Sequence, residues 1–232
     1  MMQSNGPFSF LSTDDKQPRL ARNFLKDQTT EVLRDYIVSG RITPGTKLVE
    51  RELGAQLGVS RAPVRDALTE LEKEGLVVTK ANGRFVIKLT KQDVRELYQV
   101  RLVLEQLAVE LAARNNTPEN CTRLTQALQE MREAVTKHDR ARHIEADVVM
   151  HWLVWRQANN QHLLRMLSSM IGPVFMFVAN NASAYDWEET LALHEDLVTC
   201  INAGNIPAAV ESIERHLDNA LHRSLQVFRD DE

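Results

Sequence analysis

The segment that decides the fold is Gly58-Val59-Ser60-Arg61-Ala62-Pro63-Val64-Arg65-Asp66-Ala67-Leu68, within a chain of 232 residues. Gly58 ends a short helix, and Ser60 stands at the N-cap of a new helix whose first turn tolerates Pro63. The apolar positions 64, 67, 68 and 71 then recur at helical spacing. We therefore predict a helix that buries one face and presents the two arginines of the segment on another.

The flanking residues complete a small unit over residues 21–90, preceded by a loose tail over residues 1–20. Apolar spacing predicts a first helix that ends at Ser39-Gly40 and a short second helix over Val49–Leu57. The runs Leu76–Thr79 and Phe85–Ile87 have strand composition, and the Asn82-Gly83 pair between them is a hairpin signal. Three helices followed by a hairpin predict a winged helix-turn-helix.

Residues 91–232 are predicted to form an all-helical antiparallel bundle of about six helices, so the fold is mainly α. Thr90 is the predicted N-cap of the first helix, and Thr117 caps a second that has Pro118 at its first position. Asp186 and Glu189 have capping-box spacing. The junction Thr90-Lys91 is the predicted domain boundary.

The composition is typical of a soluble globular protein, with 43% hydrophobic and 26% charged residues. The sequence contains no uninterrupted run of about 18 apolar residues and no secretory signal pattern, so no membrane association is expected. Cys121 and Cys200 have neither pairing nor metal-ligand spacing, which fits a reducing compartment. We therefore expect a cytoplasmic protein.

The two predicted domains differ in charge. Residues 1–90 hold 14 Lys and Arg against 11 Asp and Glu, a net charge of +3, whereas residues 91–232 hold 14 against 21, a net charge of -7. A basic N-terminal part suits a polyanionic partner, and an acidic C-terminal part does not.

The second helix of a helix-turn-helix enters the major groove of double-stranded DNA with its N-terminal residues on the base edges. Arg61 and Arg65 are four residues apart and share one helix face, where a guanidinium can bind guanine or phosphate. The wing tip supplies further candidates, the Asn82-Gly83 turn and the cation Arg84. The predicted DNA-binding residues are Arg51, Ser60, Arg61, Ala62, Pro63, Arg65, Asn82, Gly83 and Arg84.

The stretches 44–53, 58–68 and 71–76 together resemble the GntR family of repressors, and the resemblance covers about residues 25–90. It implies that Arg51, Arg61 and Arg65 contact DNA and that the wing glycine Gly83 approaches the minor groove. Ala62 stands where many members have Thr, so it offers an apolar contact without a hydrogen bond.

Four residues of the helical part have spacing that suits a metal site. Asp147 and His151 are four apart on one helix, and His194 and His216 each lie 11 residues from the turn at Asn205. Two antiparallel helices place such histidines at one level, about 16 Å from the turn. On spacing alone, ordinary core or surface residues fit equally well. The other histidines are predicted to lie on the surface: His138, His143, His162 and His222.

A GntR-type head followed by about 140 helical residues resembles the FadR subfamily with an FCD-type ligand domain. The segment 98–101 with Glu105 resembles its first helix, and Asp147-x-x-x-His151 followed by Asn159 resembles its metal-binding helix. The resemblance implies a divalent metal, with zinc expected first and nickel, manganese or iron as alternatives. The implied ligands are Asp147, His151, His194 and His216.

The resemblance further implies a homodimeric, ligand-responsive regulator, a repressor first and an activator as the alternative, that binds a DNA operator and senses a small organic acid beside the metal. Arg101 is the candidate cation for the acid, and an i, i+4 ion pair with Glu105 is the competing interpretation. The rival function is a metal-dependent hydrolase with an accessory DNA-binding head. Four protein ligands, where catalytic zinc keeps three, and the lack of a His-Glu-x-x-His motif argue against it.

Overall fold

Two groups of elements follow one another along residues 19–228, the part of the chain that the computed structural model describes. The head contains α1 (Arg19–Val38), β1 (Lys47–Leu48), α2 (Glu50–Leu57), α3 (Arg61–Lys73), β2 (Val77–Lys80) and β3 (Gly83–Val86). The helical domain contains α4 (Lys91–Arg114), α5 (Pro118–Thr136), α6 (Arg140–Gln157), α7 (Gln161–Asn180), α8 (Trp187–Asn202) and α9 (Ile206–Gln226). A 3₁₀ turn at Ala182–Ala184 precedes α8. This confirms the predicted fold class, a winged helix-turn-helix followed by six helices.

The core of the head is built on the apolar face of α3, which packs against α1. Val64, Ala67, Leu68 and Leu71 are completely buried there. Removing one buried leucine from such a core typically costs about 2–5 kcal/mol. The helix pattern in the sequence therefore located the inner face of α3 correctly.

The wing is a hairpin extended by a third strand. Strands β2 and β3 pair antiparallel with Lys80 opposite Gly83, and β1 pairs with the other edge of β3 through Lys47 and Phe85. The hairpin was predicted, but β1 was not. A strand of two residues is too short to show an alternating pattern.

Side-chain caps fix the start of most helices in the helical domain. Thr90 forms a reciprocal capping box with Asp93, Thr117 accepts a hydrogen bond from the backbone of Asn120, and Asp186 accepts two from the start of α8. Ser60 has the extended backbone of an N-cap residue, but its side chain makes no capping hydrogen bond. Its hydroxyl therefore remains available to an external group.

The predicted tail over residues 1–20 lies outside the described residues except for Arg19 and Leu20, which already belong to α1. The prediction is therefore wrong for these two residues, because helix α1 starts before its apolar pattern becomes clear.

Helix α7 connects the two cores. Met176 is buried in the core of the head, whereas Val174, Phe175 and Val178 are buried in the core of the helical domain. A helix that packs against other elements on several faces needs apolar residues on each of those faces. Among the described helices, α7 is also the only one long and apolar enough to cross a membrane, which the search for uninterrupted apolar runs did not anticipate. Its contacts with both cores account for that composition.

Candidate nucleic-acid interface and buried ligand site

The outer face of α3 carries the predicted DNA-binding arginines. Arg61 and Arg65 are both exposed, and Arg51 is exposed on the neighbouring α2. Arg65 forms an ion pair with Glu50 at the start of α2, with its Nε 3.0 Å and its Nη2 2.9 Å from the carboxylate oxygens. Among the described residues, Arg51 and Arg61 have no ion-pair partner. An external polyanion can therefore reach all three guanidinium groups.

The residues around the start of α3 divide between the two faces of the helix. Ser60 is exposed and Ala62 is half-buried, so both border the outer face. Pro63 is buried against the core of the head. Its predicted contact with DNA does not fit this position, because the ring shapes the first turn from the inner side.

The wing arginine is bonded to α3, the second or recognition helix of the helix-turn-helix. Arg84 donates two hydrogen bonds of 3.0 Å each, one to the backbone oxygen of Arg65 and one to Thr69 Oγ1. Arg84 therefore holds the wing against α3 instead of extending from the tip, which leaves exposed Asn82 at the turn and Gly83 beside it. Gly83 has a φ of 133°, and a Cβ at this position would lie 3.0 Å from Lys47 Cε, so a larger residue would be strained.

The sequence analysis missed two wing cations. Lys47 on β1 and Lys80 on β2 are exposed, and their ammonium groups lie 6.0 and 5.6 Å from the centre of the Phe85 ring. Recognising that β1 belongs to the wing would have been needed to place Lys47 beside the hairpin.

In the helical domain, the four predicted metal ligands meet. His151 on α6, His194 on α8 and His216 on α9 each offer a ring nitrogen, and these atoms lie within 4.8 Å of one another. Asp147 Oδ1 lies 2.9 Å from His194 Nε2 and 3.4 Å from His151 Nε2. All four side chains are buried.

Hydrogen bonds outside this cluster determine which ring nitrogens face inward as acceptors. His151 Nδ1 lies 2.9 Å from Glu105 Oε2, and His194 Nδ1 lies 2.7 Å from the carbonyl oxygen of Thr190. Both oxygens are acceptors, so both Nδ1 atoms carry a proton, and in the neutral form of each ring the Nε2 lone pair faces Asp147. Lone pairs that face a carboxylate repel one another unless a cation lies between them, and a divalent metal fits this donor set.

Electrostatics gives most of the cluster the protonation states that metal ligands need. Burial raises the pKa of Asp147, but the nearby His194 and His151 outweigh it and leave that pKa below its ordinary value. Burial and the two neighbouring rings lower the pKa of His216 well below its ordinary value. Burial also lowers the pKa of His151, but Glu105 outweighs it and raises the pKa, which favours the protonated ring and so opposes cation binding there.

Glu105 links the ligand cluster to Arg101. Its Oε1 accepts two hydrogen bonds from Arg101, at 3.0 and 2.6 Å, while its Oε2 accepts from His151 and from Trp155 Nε1. Glu105 is completely buried and Arg101 is 3% exposed. The predicted ion pair is therefore present, and Arg101 also lines the cavity over Asp147 and His151. The sequence suggested either role, and the geometry allows both together.

The cavity beside the cluster is small, with a volume of about 30 Å³. That space holds one or two water-sized groups. Its wall also includes Tyr185 and Trp187, which line a wider outer cleft of about 1150 Å³ as well. A small polar head group fits the inner cavity, and a longer molecule must extend toward the cleft.

Among the remaining histidines, His138, His162 and His222 are exposed as predicted. The prediction for His143 is wrong, because this residue is 1% exposed. It lies one helical turn before Asp147, which places it on the inward face of α6.

The head and the helical domain meet at the middle of α7. A Cβ on Gly172 would lie 2.5 Å from the carbonyl oxygen of Glu74, and one on Gly75 would lie 2.9 Å from Pro173 Cγ. Gly75 also has a φ of 75°, the left-handed region that glycine tolerates best. The backbone of α7 therefore touches the end of α3, while Val174 and Phe175 line the cavity beside the histidines.

Comparison with known proteins agrees with this architecture. Residues 25–87 match the family described as bacterial regulatory proteins, gntR family, and residues 96–219 match the FCD domain. The chain belongs to the GntR family. As a GntR-family transcriptional regulator it combines a helix-turn-helix domain with an FCD domain.

Two relatives of this GntR protein are transcriptional repressors by name. The gluconate operon transcriptional repressor of Bacillus licheniformis is 30% identical over 193 residues, covering 81% of this chain and 79% of that protein. The probable D-xylose utilization operon transcriptional repressor of Paenarthrobacter nicotinovorans is 29% identical over 205 residues, covering 88% and 90%. The solved structure of E. coli McbR/YncC, 23% identical, shares the fold with a TM-score of 0.73 and covers 88% of this chain and 99% of that one.

Proposed function

We propose that this GntR-family protein is a ligand-responsive repressor that binds an operator as a homodimer and releases it when a small organic acid binds beside a metal. The observation that carries the proposal is that one chain combines an exposed arginine face on α3 with a buried cluster of histidines that can ligate a metal in the helical domain. The names of the two relatives favour repression over activation.

We assign operator contact to α3 and its neighbours: Arg51, Ser60, Arg61, Ala62 and Arg65, together with the wing residues Asn82 and Gly83. Arginines at the start of the recognition helix can bind guanine edges or phosphates. Arg84 supports this surface indirectly, because it holds the wing to α3.

We assign the metal to Asp147, His151, His194 and His216. Three imidazoles and one carboxylate suit zinc first and nickel, manganese or iron next. When bound, the metal would supply a fixed positive charge and positions for an oxygen ligand. Glu105 would orient the His151 ring, a type of support that typically contributes 10–100-fold to metal affinity.

Arg101 supports an acid as the effector. Arg101 lines the cavity next to Asp147 and His151, and a guanidinium binds carboxylates through paired hydrogen bonds. The inner cavity of about 30 Å³ has room for one carboxylate-sized group. An acid would therefore place its carboxylate between Arg101 and the metal.

Helix α7 is the proposed route from the acid to the DNA. Val174 and Phe175 line the cavity, and one residue earlier Pro173 abuts Gly75 at the end of the recognition helix. A ligand that shifts α7 must shift this contact as well, and coupling between two sites needs such a shared element. Gly172→Ala, which adds a methyl against the Glu74 carbonyl, is expected to change the effect of the acid on operator affinity while leaving the metal content unchanged.

Dimerisation is proposed through the exposed side of α4. Val100, Val103 and Leu107 are 49%, 65% and 42% exposed and share one face of that helix. An apolar stripe of this kind is typical of a protein interface. Two-fold pairing would give the two heads the symmetric half-sites that short recognition helices need.

The proposed site of action is the cytoplasm, where repressors meet DNA, and the unpaired state of Cys121 and Cys200 fits a reducing compartment. The comparisons give no support to the hydrolase alternative, since the related proteins named above are transcriptional repressors.

The decisive experiment selects an operator from random DNA with purified full-length protein and titrates it in gel shifts at fixed salt. Metal-loaded protein is then titrated again with a panel of carboxylic acids. We expect specific binding that at least one acid weakens, and the same acid should have no effect after chelation of the metal from protein that remains folded. Specific binding without any acid response would leave a DNA-binding regulator but overturn acid sensing.

A further inference from the structure

His143 is a buried histidine for which the proposed metal and acid sites have no use. It lies on α6 one turn before Asp147 and two turns before His151, so the three side chains share a face. It is 1% exposed, and neither ring nitrogen makes a well-formed hydrogen bond, the backbone of Met131 being its one polar contact. Buried polar atoms are nearly always paired, so at least one nitrogen of this ring calls for an external partner.

A second unpaired group lies directly against this ring. Trp187 at the start of α8 packs edge-on to His143 with their ring centres 4.9 Å apart. Its indole Nε1 is shielded from solvent and also has no hydrogen-bond partner. An indole N–H can only donate, and an imidazole can donate or accept. The pair is thus complementary to an oxygen that accepts hydrogen bonds.

Trp187 and Tyr185 form the wall that the inner cavity and the outer cleft share, and His143 lines the cleft side. The inner cavity of about 30 Å³ can take a carboxylate but not the rest of an organic acid. The remainder must pass this wall into the cleft of about 1150 Å³. A ligand anchored at Arg101 that extends into the cleft must therefore displace part of this wall, which would bring it against the shielded polar atoms of His143 and Trp187.

We propose that His143 and Trp187 form a second polar subsite that selects acids with a further oxygen group, a hydroxyl or a second carboxylate, over simple monocarboxylic acids. The proposal rests on the acid-sensing function proposed above. The carboxylate of the effector binds at Arg101 and the metal, and its second oxygen accepts the Trp187 N–H and bonds to the His143 ring. An acid with that oxygen supplies the hydrogen bonds that these buried groups lack, whereas an acid without it leaves them as they are and gains nothing from them.

The test is calorimetric titration of full-length, metal-loaded protein with two matched pairs of acids. Glutarate is compared with valerate, and glycerate with propionate, so that each pair differs only in the second oxygen groups. We expect at least one oxygen-rich acid to bind about 10-fold or more tightly than its partner, the usual consequence of leaving buried polar groups unpaired.

Two variants remove the polar atoms while keeping aromatic bulk, His143→Phe and Trp187→Phe. In each variant the preference should fall to about 1-fold, while affinity for the monocarboxylic acid stays within about 3-fold of the wild type, because only the second oxygen loses its partners. His162→Phe, at an exposed histidine on α7, is the control and should retain the preference. Metal content and unfolding temperature show whether each variant is intact. If His143→Phe fails to fold, the result for Trp187→Phe alone tests the second polar subsite.

The outcomes separate this proposal from the function on which it rests. Equal affinities within both pairs, or a preference that survives both substitutions, overturn the subsite while acid sensing stands. If none of the four acids binds the wild-type protein, the subsite is overturned for these acids, and the operator titrations with the wider acid panel decide independently whether acid sensing stands.

Discussion

The head and the helical domain each contain an arginine paired with a glutamate, in opposite surroundings. Arg65 and Glu50 keep side-chain exposures of 60% and 28%, whereas Arg101 and Glu105 keep 4% and 0%. An exposed pair contributes about 0–1 kcal/mol and can be exchanged for another partner. A buried pair cannot be broken without leaving a charge in the protein interior. Arg65 in the head is therefore free to exchange Glu50 for an external anion, whereas the helical domain holds Arg101 and Glu105 in a fixed buried network.

The strongest test of the buried cluster in the helical domain removes two of the four proposed metal ligands. His194→Ala combined with His216→Ala should lose bound metal altogether, because the two remaining ligands cannot hold it against competing water. Elemental analysis of wild type and variant gives the answer, with about one metal per chain expected in the wild type. The matched control replaces the exposed His162 and His222 and should keep its metal. Full metal retention in the ligand variant would disprove the assigned site.

The next test breaks the buried Arg–Glu pair. Glu105→Gln leaves Arg101 buried without a counter-charge, and such changes typically destabilise a protein by about 3–5 kcal/mol. Denaturant unfolding of the metal-free protein measures this cost apart from metal binding. The exposed pair of Arg123 and Glu119 on α5 supplies the control, since Glu119→Gln should change stability by about 0.5 kcal/mol or less. Equal costs for both substitutions would remove the contrast between the two domains.

The exposed arginines of the head are tested on the recognition helix α3. Arg61→Ala and Arg65→Ala should each weaken specific operator binding by about 1–3 kcal/mol and leave the unfolding temperature nearly unchanged, because neither side chain is in the core. Gel shifts at one salt concentration measure the affinity. Arg123→Ala serves as a control on the helical domain. Wild-type affinity in both α3 variants would refute the assigned interface.

The smallest effect is expected from a substitution that removes the ion-pair partner of Arg65 and leaves Arg65 itself in place. Glu50→Gln removes the ion-pair partner and a negative charge close to the operator, so nonspecific DNA affinity should rise by about 1 kcal/mol or less. The salt dependence of binding, followed in the same titrations, should become steeper because one more cation is free to displace counterions. A loss of affinity would mean that Glu50 positions Arg65 for the operator.

The sequence predicted elements with local signals well and long-range partners poorly. Thr90 was identified as an N-cap and the Asn82-Gly83 hairpin as a wing, because capping and turn formation depend on a few adjacent residues. His143 was assigned to the surface, although the inward face of α6 that contains Asp147 and His151 could have indicated its burial. Its neighbour Trp187 lies 44 residues away and gave no local indication.

The four predicted metal ligands show what helix spacing determined and what packing decided. Helix spacing brought Asp147 and His151 to one face, and equal distances from the turn at Asn205 brought His194 and His216 to one level. Spacing alone could not decide whether the two pairs face each other, since the rotation of each helix depends on packing. The tertiary structure places all four donor atoms in one cluster.

By itself, the sequence determined the order of elements, the recognition helix and its arginines, and the family to which the chain belongs, since these follow from residue types at short spacing. Only the tertiary structure decided that Arg84 binds the recognition helix, that Glu105 joins Arg101 to His151, and that α7 contacts both cores. The physical reason is that a side chain's partner is set by the packing of distant helices. Burial, which fixes the strength of each charge interaction, arises only from that packing.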